Sequence, residues 1–163
     1  MNSMISWNKL TNFEPVIRKA ILQDVVRICE IVAQMTPGLP HDYRKADEQF
    51  LKIDGNEDCF LWVAELENKV VGTAMMHLQH KLSHNCSVAA HLEDLVIDSS
   101  YRGKGIGEKL LTTAVETARS RGAYKIMLTC YEKTTIFYQK YGFVKHDIGM
   151  RMSLKEEHPM VKD

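Results

Sequence analysis

The chain has 163 residues, 45% of them hydrophobic, which suits one domain built on a single core. Lysine plus arginine and aspartate plus glutamate each number 21, so no broad field draws the protein to nucleic acid or to an anionic membrane. Any anion it binds needs a local site, and four cysteines without a C-x-x-C pair argue for reduced core thiols rather than a disulfide framework.

The opening stretch MNSMISWNKLTNFEP has no basic segment followed by an apolar one, and nowhere do 18 uncharged apolar residues run together. A single domain over residues 1–163, with its core at about 15–153, is expected in the cytoplasm. Residues 15–21, PVIRKAI, read as a short strand. Leu22, Val25, Val26, Cys29, Val32 and Ala33 then recur at helical spacing, with Asp24 near the positive helix start. TPGLP breaks that helix, and DYRKADEQFLKI suggests a second one presenting Phe50, Leu51 and Ile53. CFLWVAELENKVVGTAMMHL holds two β-rich runs around Glu67, Asn68 and Lys69, a hairpin signal.

The next strand, HLEDLVI over 91–97, alternates Glu93, Leu95 and Ile97 on one face with Leu92, Asp94 and Val96 on the other. Beyond a glycine-rich stretch, Ile106, Leu110, Leu111, Ala114, Val115 and Ala118 form the apolar side of a helix that Arg121 and Gly122 end. YKIMLTC (124–130) is a strand, TTIFYQKY (134–141) a short helix, and GFVKHDIGMRMSL a final strand or hairpin before a frayed KEEHPMVKD end. This order predicts an α/β fold, one mixed sheet with helices on its faces.

Between strand and helix lies DSSYRGKGIGEKLL (98–111), with R-x-x-G-x-G at Arg102, Gly105 and Gly107. A strand, a glycine turn and a helix start rich in free N–H groups can cradle a pyrophosphate. A plain tight turn would use the same residues, so the motif alone leaves both readings open. Glu108 follows Gly107, so the G-K-[ST] ending of a nucleoside triphosphate loop is absent. His77, His80, His84, Cys86 and His91 put five possible metal ligands in 15 residues. Strand alternation scatters them and their spacing matches no compact zinc knuckle, so no metal is expected.

The glycine stretch, IRKAILQDVVRICEIV near the start and FYQKYGF (137–143) together resemble the GNAT superfamily of acetyl-CoA-dependent N-acetyltransferases. The resemblance implies a single-domain α/β fold with a mixed, mostly antiparallel central sheet of six to seven strands and about four helices. Within that superfamily, KLSHNCSVAAHLEDLVIDSSYRGKGIG and YKIMLTC are most similar to the glucosamine-6-phosphate N-acetyltransferases. That likeness implies acetyl-CoA as co-substrate, held by the backbone of Leu95, Val96 and Ile97, by Arg102, Gly103, Lys104, Gly105, Ile106 and Gly107, and by Thr134, Tyr138 and Lys140. It also implies acceptor contacts from Thr36, Lys81, His84, Glu93, Asp94, Tyr124, Lys125 and Thr129, and a possible homodimer using the methionine-bearing C-terminal strand. Thr129 replaces an acidic residue of that group's pattern, and Thr134 an asparagine.

Acetyl transfer needs a polarised thioester carbonyl, a neutral amine and a protonated leaving thiolate. Tyr138 is the candidate acid, since a phenol of pKa about 10 stays protonated at neutral pH, although its aromatic neighbours equally suit core packing. Glu93 is the candidate base, expected to be buried on an apolar strand, with Asp94 on the opposite face. Lys81, His84, Lys125 and Arg151 offer cations for an anionic small-molecule amine. Other acceptors (an aminoalkylphosphonate, a polyamine, a protein lysine), a non-catalytic acyl-CoA sensor and a histidine metal site remain as alternatives.

Overall fold

A computed structural model describes residues 14–35 and 42–154. They fall into two compact units divided after Leu128. The first holds a five-stranded sheet in the order β1 (Val16–Lys19), β2 (Cys59–Leu66), β3 (Lys69–His80), β4 (Val88–Ile97), β5 (Ala123–Leu128). The first three pairings are antiparallel and β4 with β5 is parallel. The helices are α1 (Val25–Val32), α2 (Tyr43–Asp54), the single turn α3 (Ser83–Cys86), α4 (Ile106–Ser120) and, in the second unit, α5 (Thr135–Gln139). No helix among the described residues is long and apolar enough to cross a membrane.

The β2–β3 hairpin turns where expected, because Glu67 and Asn68 both take positive φ, 50° and 60°, as a two-residue turn between twisted strands requires. Val25, Ile31 and Phe50 from α1 and α2 cover Val63 and Val96 on one sheet face. On the other, α4 buries Ile106, Leu110, Leu111, Ala114 and Ala118, five of the six residues its spacing singled out. Ile106, Leu110 and Leu111 each contribute about 1.5–3 kcal/mol of burial, and the alanines less.

Three expectations are corrected. Leu22 and Val26 are 42% and 47% exposed, because Leu22–Asp24 forms a 3-10 turn that shifts the helical phase before α1 begins, and Ile31 is buried instead. Leu51 is exposed on α2, whose buried anchor is Phe50. The expected strand over 142–154 does not form among the described residues, so the sheet has five strands rather than six to seven. Its alternating residues Ile148, Met150, Met152 and Leu154 are all at least 81% exposed. A strand needs a ladder partner and a surface for its apolar face, and this segment has found neither.

Candidate active site

At the end of β4, Asp98 caps a 3-10 turn (Ser99–Tyr101) by accepting from Ser100 N. Arg102 Nε donates to the Ile97 carbonyl at 3.1 Å, folding the chain back on the strand. Gly103 and Gly105 then take φ of 76° and 75°, the left-handed region that favours glycine, and open space surrounds both. Gly105 is the N-cap of α4 and offers no side-chain cap, so the first N–H groups of this 15-residue helix, from Ile106 and Gly107 onward, are left for another acceptor. Lys104 Nζ lies 5.0 Å from the Tyr101 ring centroid, a short reach from that mouth.

The strand leading there is irregular. Thr73 pairs with Val96 and Met75 with Glu93, so Asp94 and Leu95 together oppose Ala74 and form a bulge. Asp94 sits at φ 48°. The plain alternation expected for residues 91–97 is therefore broken, and Asp94 lies in the electrostatic field of both Glu93 and His77 rather than isolated on the far face. Burial, then the charge of Glu93, push the Asp94 carboxyl up, with His77 pulling the other way. Glu93 is 41% exposed at its side chain, so the deep burial expected of it falls to its neighbour. Its partners are histidines: His91 Nδ1 at 3.0 Å and His77 Nε2 at 3.8 Å.

On the far side of β4, the β3–β4 connection turns through His84, Asn85 and Cys86, three consecutive residues at positive φ. It brings the His84 ring to 4.7 Å from Tyr124 on β5, and Lys125 Nζ stands 5.5 Å from the Tyr124 ring. Lys81 Nζ donates to Gln79 Oε1 at the base of the same connection. Three of the expected acceptor contacts thus gather at one place, while Thr36 lies outside the described residues.

In the second unit, Thr134 Oγ1 donates to the Tyr131 carbonyl, occupying the hydroxyl expected to meet the coenzyme. Tyr138 packs edge-on against Phe137 and Phe143, and burial, with the charge of Cys130 adding, pushes its phenol up. Thr129, Lys140 and Arg151 are exposed. Among the described residues no three His, Cys, Asp or Glu side chains are placed to hold a metal ion; His80 instead meets Asp58 at 3.0 Å. The histidine pair around Glu93 was not singled out from sequence as such. Its signal was His77 and His91 among the histidines, but only strand register makes them neighbours.

A model of the acetyltransferase (GNAT) family matches residues 25–143. Glucosamine 6-phosphate N-acetyltransferase of Arabidopsis thaliana is 31% identical over 138 residues, 82% of this chain and 93% of that protein. The enzyme of the same name from Trypanosoma brucei brucei is 41% identical over 86 residues, 53% of this chain; the match spans 58% of that relative's length, under two thirds. The crystal structure of the Arabidopsis thaliana enzyme superposes with a TM-score of 0.80 at 30% identity, covering 87% of this chain and 99% of that one.

Proposed function

The chain belongs to the acetyltransferase (GNAT) family, and from that premise we propose that it transfers the acetyl group of acetyl-CoA directly to the primary amine of glucosamine 6-phosphate. One observation carries the reading: a β4 bulge, then two left-handed glycines, then a helix with no side-chain cap, in that order over residues 93–107. A bulge leaves strand N–H and carbonyl groups unpaired, and an uncapped helix start attracts diphosphate oxygens. Residues 103–107 are the proposed diphosphate cradle, and the backbone of Leu95, Val96 and Ile97 the proposed contact with the pantetheine arm. Lys104 and the charge of Arg102 add cations at the same mouth.

Acetyl-CoA supplies an acetyl thioester. Glu93, directly or through one water, takes a proton from the acceptor ammonium, leaving a neutral amine whose nitrogen forms the new bond to the acetyl carbon as the carbon–sulfur bond breaks. Tyr138 donates its phenolic proton to the departing thiolate; its upward shift keeps that proton in place at neutral pH. The nitrogen's second proton leaves as the amide forms and restores the Tyr138 phenol through water, so one proton in all is released, from Glu93. His84, Tyr124 and Lys125 are the proposed clamp on the acceptor's phosphate, with Lys81 and Asp94 proposed as further acceptor contacts. The names of the relatives support this acceptor. The cationic clamp argues against a polyamine. The exposed stripe of Ile148, Met150, Met152 and Leu154 supports a homodimer.

Release of free CoA from acetyl-CoA, followed over a panel of amines, tests the reading. Turnover with glucosamine 6-phosphate well above every other amine is expected. Turnover only with a polyamine, aminoalkylphosphonate or peptide lysine overturns the acceptor, and tight acetyl-CoA binding with no turnover on any amine makes the protein a coenzyme sensor.

A further inference from the structure

Cys59 on β2 lies opposite His77 on β3, and His77 lies opposite His91 on β4. These three side chains therefore share one sheet face, and Glu93, two residues along β4 from His91, joins them there. Nδ1 of His91 stands 3.0 Å from Glu93 Oε1, and Nε2 of His77 stands 3.8 Å from Oε2. On its other side, His77 Nδ1 lies 3.0 Å from Cys59 Sγ. The two carboxylate oxygens of Glu93 are thus each faced by an imidazole from a different strand.

The hydrogen positions follow from the partners. Burial, and then the charge of Asp58, push the Cys59 thiol up, so sulfur keeps its hydrogen and donates it to His77 Nδ1. With Nδ1 accepting, neutral His77 carries its hydrogen on Nε2, the atom that faces Glu93. A carboxylate only accepts, so His91 turns an N–H toward it from Nδ1. A side chain that is 41% exposed would otherwise sample several rotamers; His91 at 3.0 Å from one carboxylate oxygen and His77 at 3.8 Å from the other, at ion-pair rather than hydrogen-bond range, narrow that freedom from two strands.

We propose that His77 and His91 are positioning residues for acetyl transfer, fixing the orientation of the Glu93 carboxylate toward the acceptor amine, with Cys59 setting the tautomer of His77. This rests on Glu93 being the base. The network neither gains nor loses a proton of its own: the ammonium N–H breaks, a Glu93 O–H forms, and that proton then leaves to water through the exposed edge of the carboxyl.

Amide side chains separate a positioning role from a merely structural one. The Asn amide nitrogen can replace Nδ1 as donor. His91→Ala is expected to lower kcat about tenfold, the scale of one good hydrogen bond to a charged group, with KM for acetyl-CoA within about twofold. His91→Asn is expected to recover most of that loss. His77→Ala is expected to cost no more than about threefold, because at 3.8 Å the ring acts on the carboxylate through space rather than through a hydrogen bond. Nitrogen-15 spectra of the wild-type chain, which need no acceptor, are expected to show His91 protonated on Nδ1 and His77 on Nε2, with both signals moving in Glu93→Gln. Equal activity in His91→Ala and wild type while Glu93→Gln is inactive overturns the positioning role but keeps the base. Full activity of Glu93→Gln overturns the base and the proposal with it, and spectra with the opposite tautomers overturn the geometry directly.

Discussion

Replacing Gly72 with alanine tests the packing of β3, β4 and α4 beneath the glycine loop. Gly72 pairs with Ile97, the last residue of β4. A Cβ there would stand 2.7 Å from Ile97 Cδ1 and 3.3 Å from both Leu110 Cδ1 and the Val96 carbonyl. Carbon atoms prefer about 3.5–4.0 Å; Leu110 is fully buried and Val96 O is backbone, so those two cannot retreat freely, and the tip of the half-buried Ile97 side chain has to swing aside. Overpacking of this kind costs about 1–3 kcal/mol, and removing a strand glycine returns about 0.5–1 kcal/mol. The net expectation is roughly 1–2 kcal/mol, or a melting temperature lower by about 2–8 °C for a chain of this length. Valine lacks the Cδ1 that makes the shortest contact. Ile97→Val alone therefore costs about 0.5–1.5 kcal/mol, but in the Gly72→Ala background it is expected to be neutral or stabilising. Thermal melts of the four proteins give a coupling of about 1 kcal/mol; additivity within about 0.3 kcal/mol would refute the packing argument.

Gly105→Ala meets no atom within 4 Å, so its cost is backbone strain alone. At φ 75° that strain is about 1–2 kcal/mol, expected to weaken acetyl-CoA binding about five- to thirtyfold by calorimetry with an unchanged circular dichroism spectrum. Burial alone would raise the Asp24 carboxyl, but hydrogen bonds from Arg18 and the Ile21 N–H, with the Arg18 charge, hold it below its usual value. Its contribution is then complete above the ordinary carboxylate range and lost as pH falls through the lower folded value, so Asp24→Asn should cost about 1–3 kcal/mol at pH 7 and far less in acid, by urea melts at the two pH values. Asp94 has the opposite sign: its raised folded value means the ionised form burdens the fold once pH passes the ordinary range. Asp94→Asn, whose side chain tolerates positive φ, is expected to raise the melting temperature at neutral pH and leave it unchanged in strong acid.

How far the sequence reached depended on whether the deciding interaction was local. The Glu67–Asn68 turn and the buried face of α4 are set by adjacent residues and one period, and both were legible. The α1 face was mis-phased because three residues of 3-10 geometry advance the chain by 120° each rather than 100°, a change that composition does not announce. The final strand was legible as an alternation, yet pairing needs a partner, and alternation does not supply one. At the candidate site, the glycines and an arginine announced the left-handed loop before α4, whereas the β4 bulge was hidden: its only trace is an adjacent Glu–Asp pair on an apolar strand, aspartate being a residue that enters left-handed backbone more readily than most. The pairing of His77 and His91 beside Glu93 needed the β3–β4 register, which no single-strand pattern contains.

The glycine loop is not uniformly flexible, and the distribution of its restraints explains how so much glycine can serve a binding site. Its first residue, Asp98, donates its N–H to the Val71 carbonyl, accepts from Ser100 N, and pairs with Arg27 on α1. Hydrogen bonding from Ser100 leads, against burial, in holding that carboxyl below its usual value, and Arg27 adds to it. Arg27 also donates Nε to the Val70 carbonyl, while Gln34 accepts from Ser99 N, so both β3 and α1 grip the start of the loop. Its end is fixed by Ile106 and Leu110, both buried. Residues 103–105 are tied more lightly, by Lys104 over the Tyr101 ring and by the Gly105 carbonyl accepting from Lys109 N, and there the backbone has room around each glycine. Freedom confined to three residues between two pinned ends loses little entropy when a ligand orders it, yet lets N–H groups approach an anion closely. A loop made of glycine throughout would need more ordering to bind, and one without glycine could not adopt φ near 75° without strain.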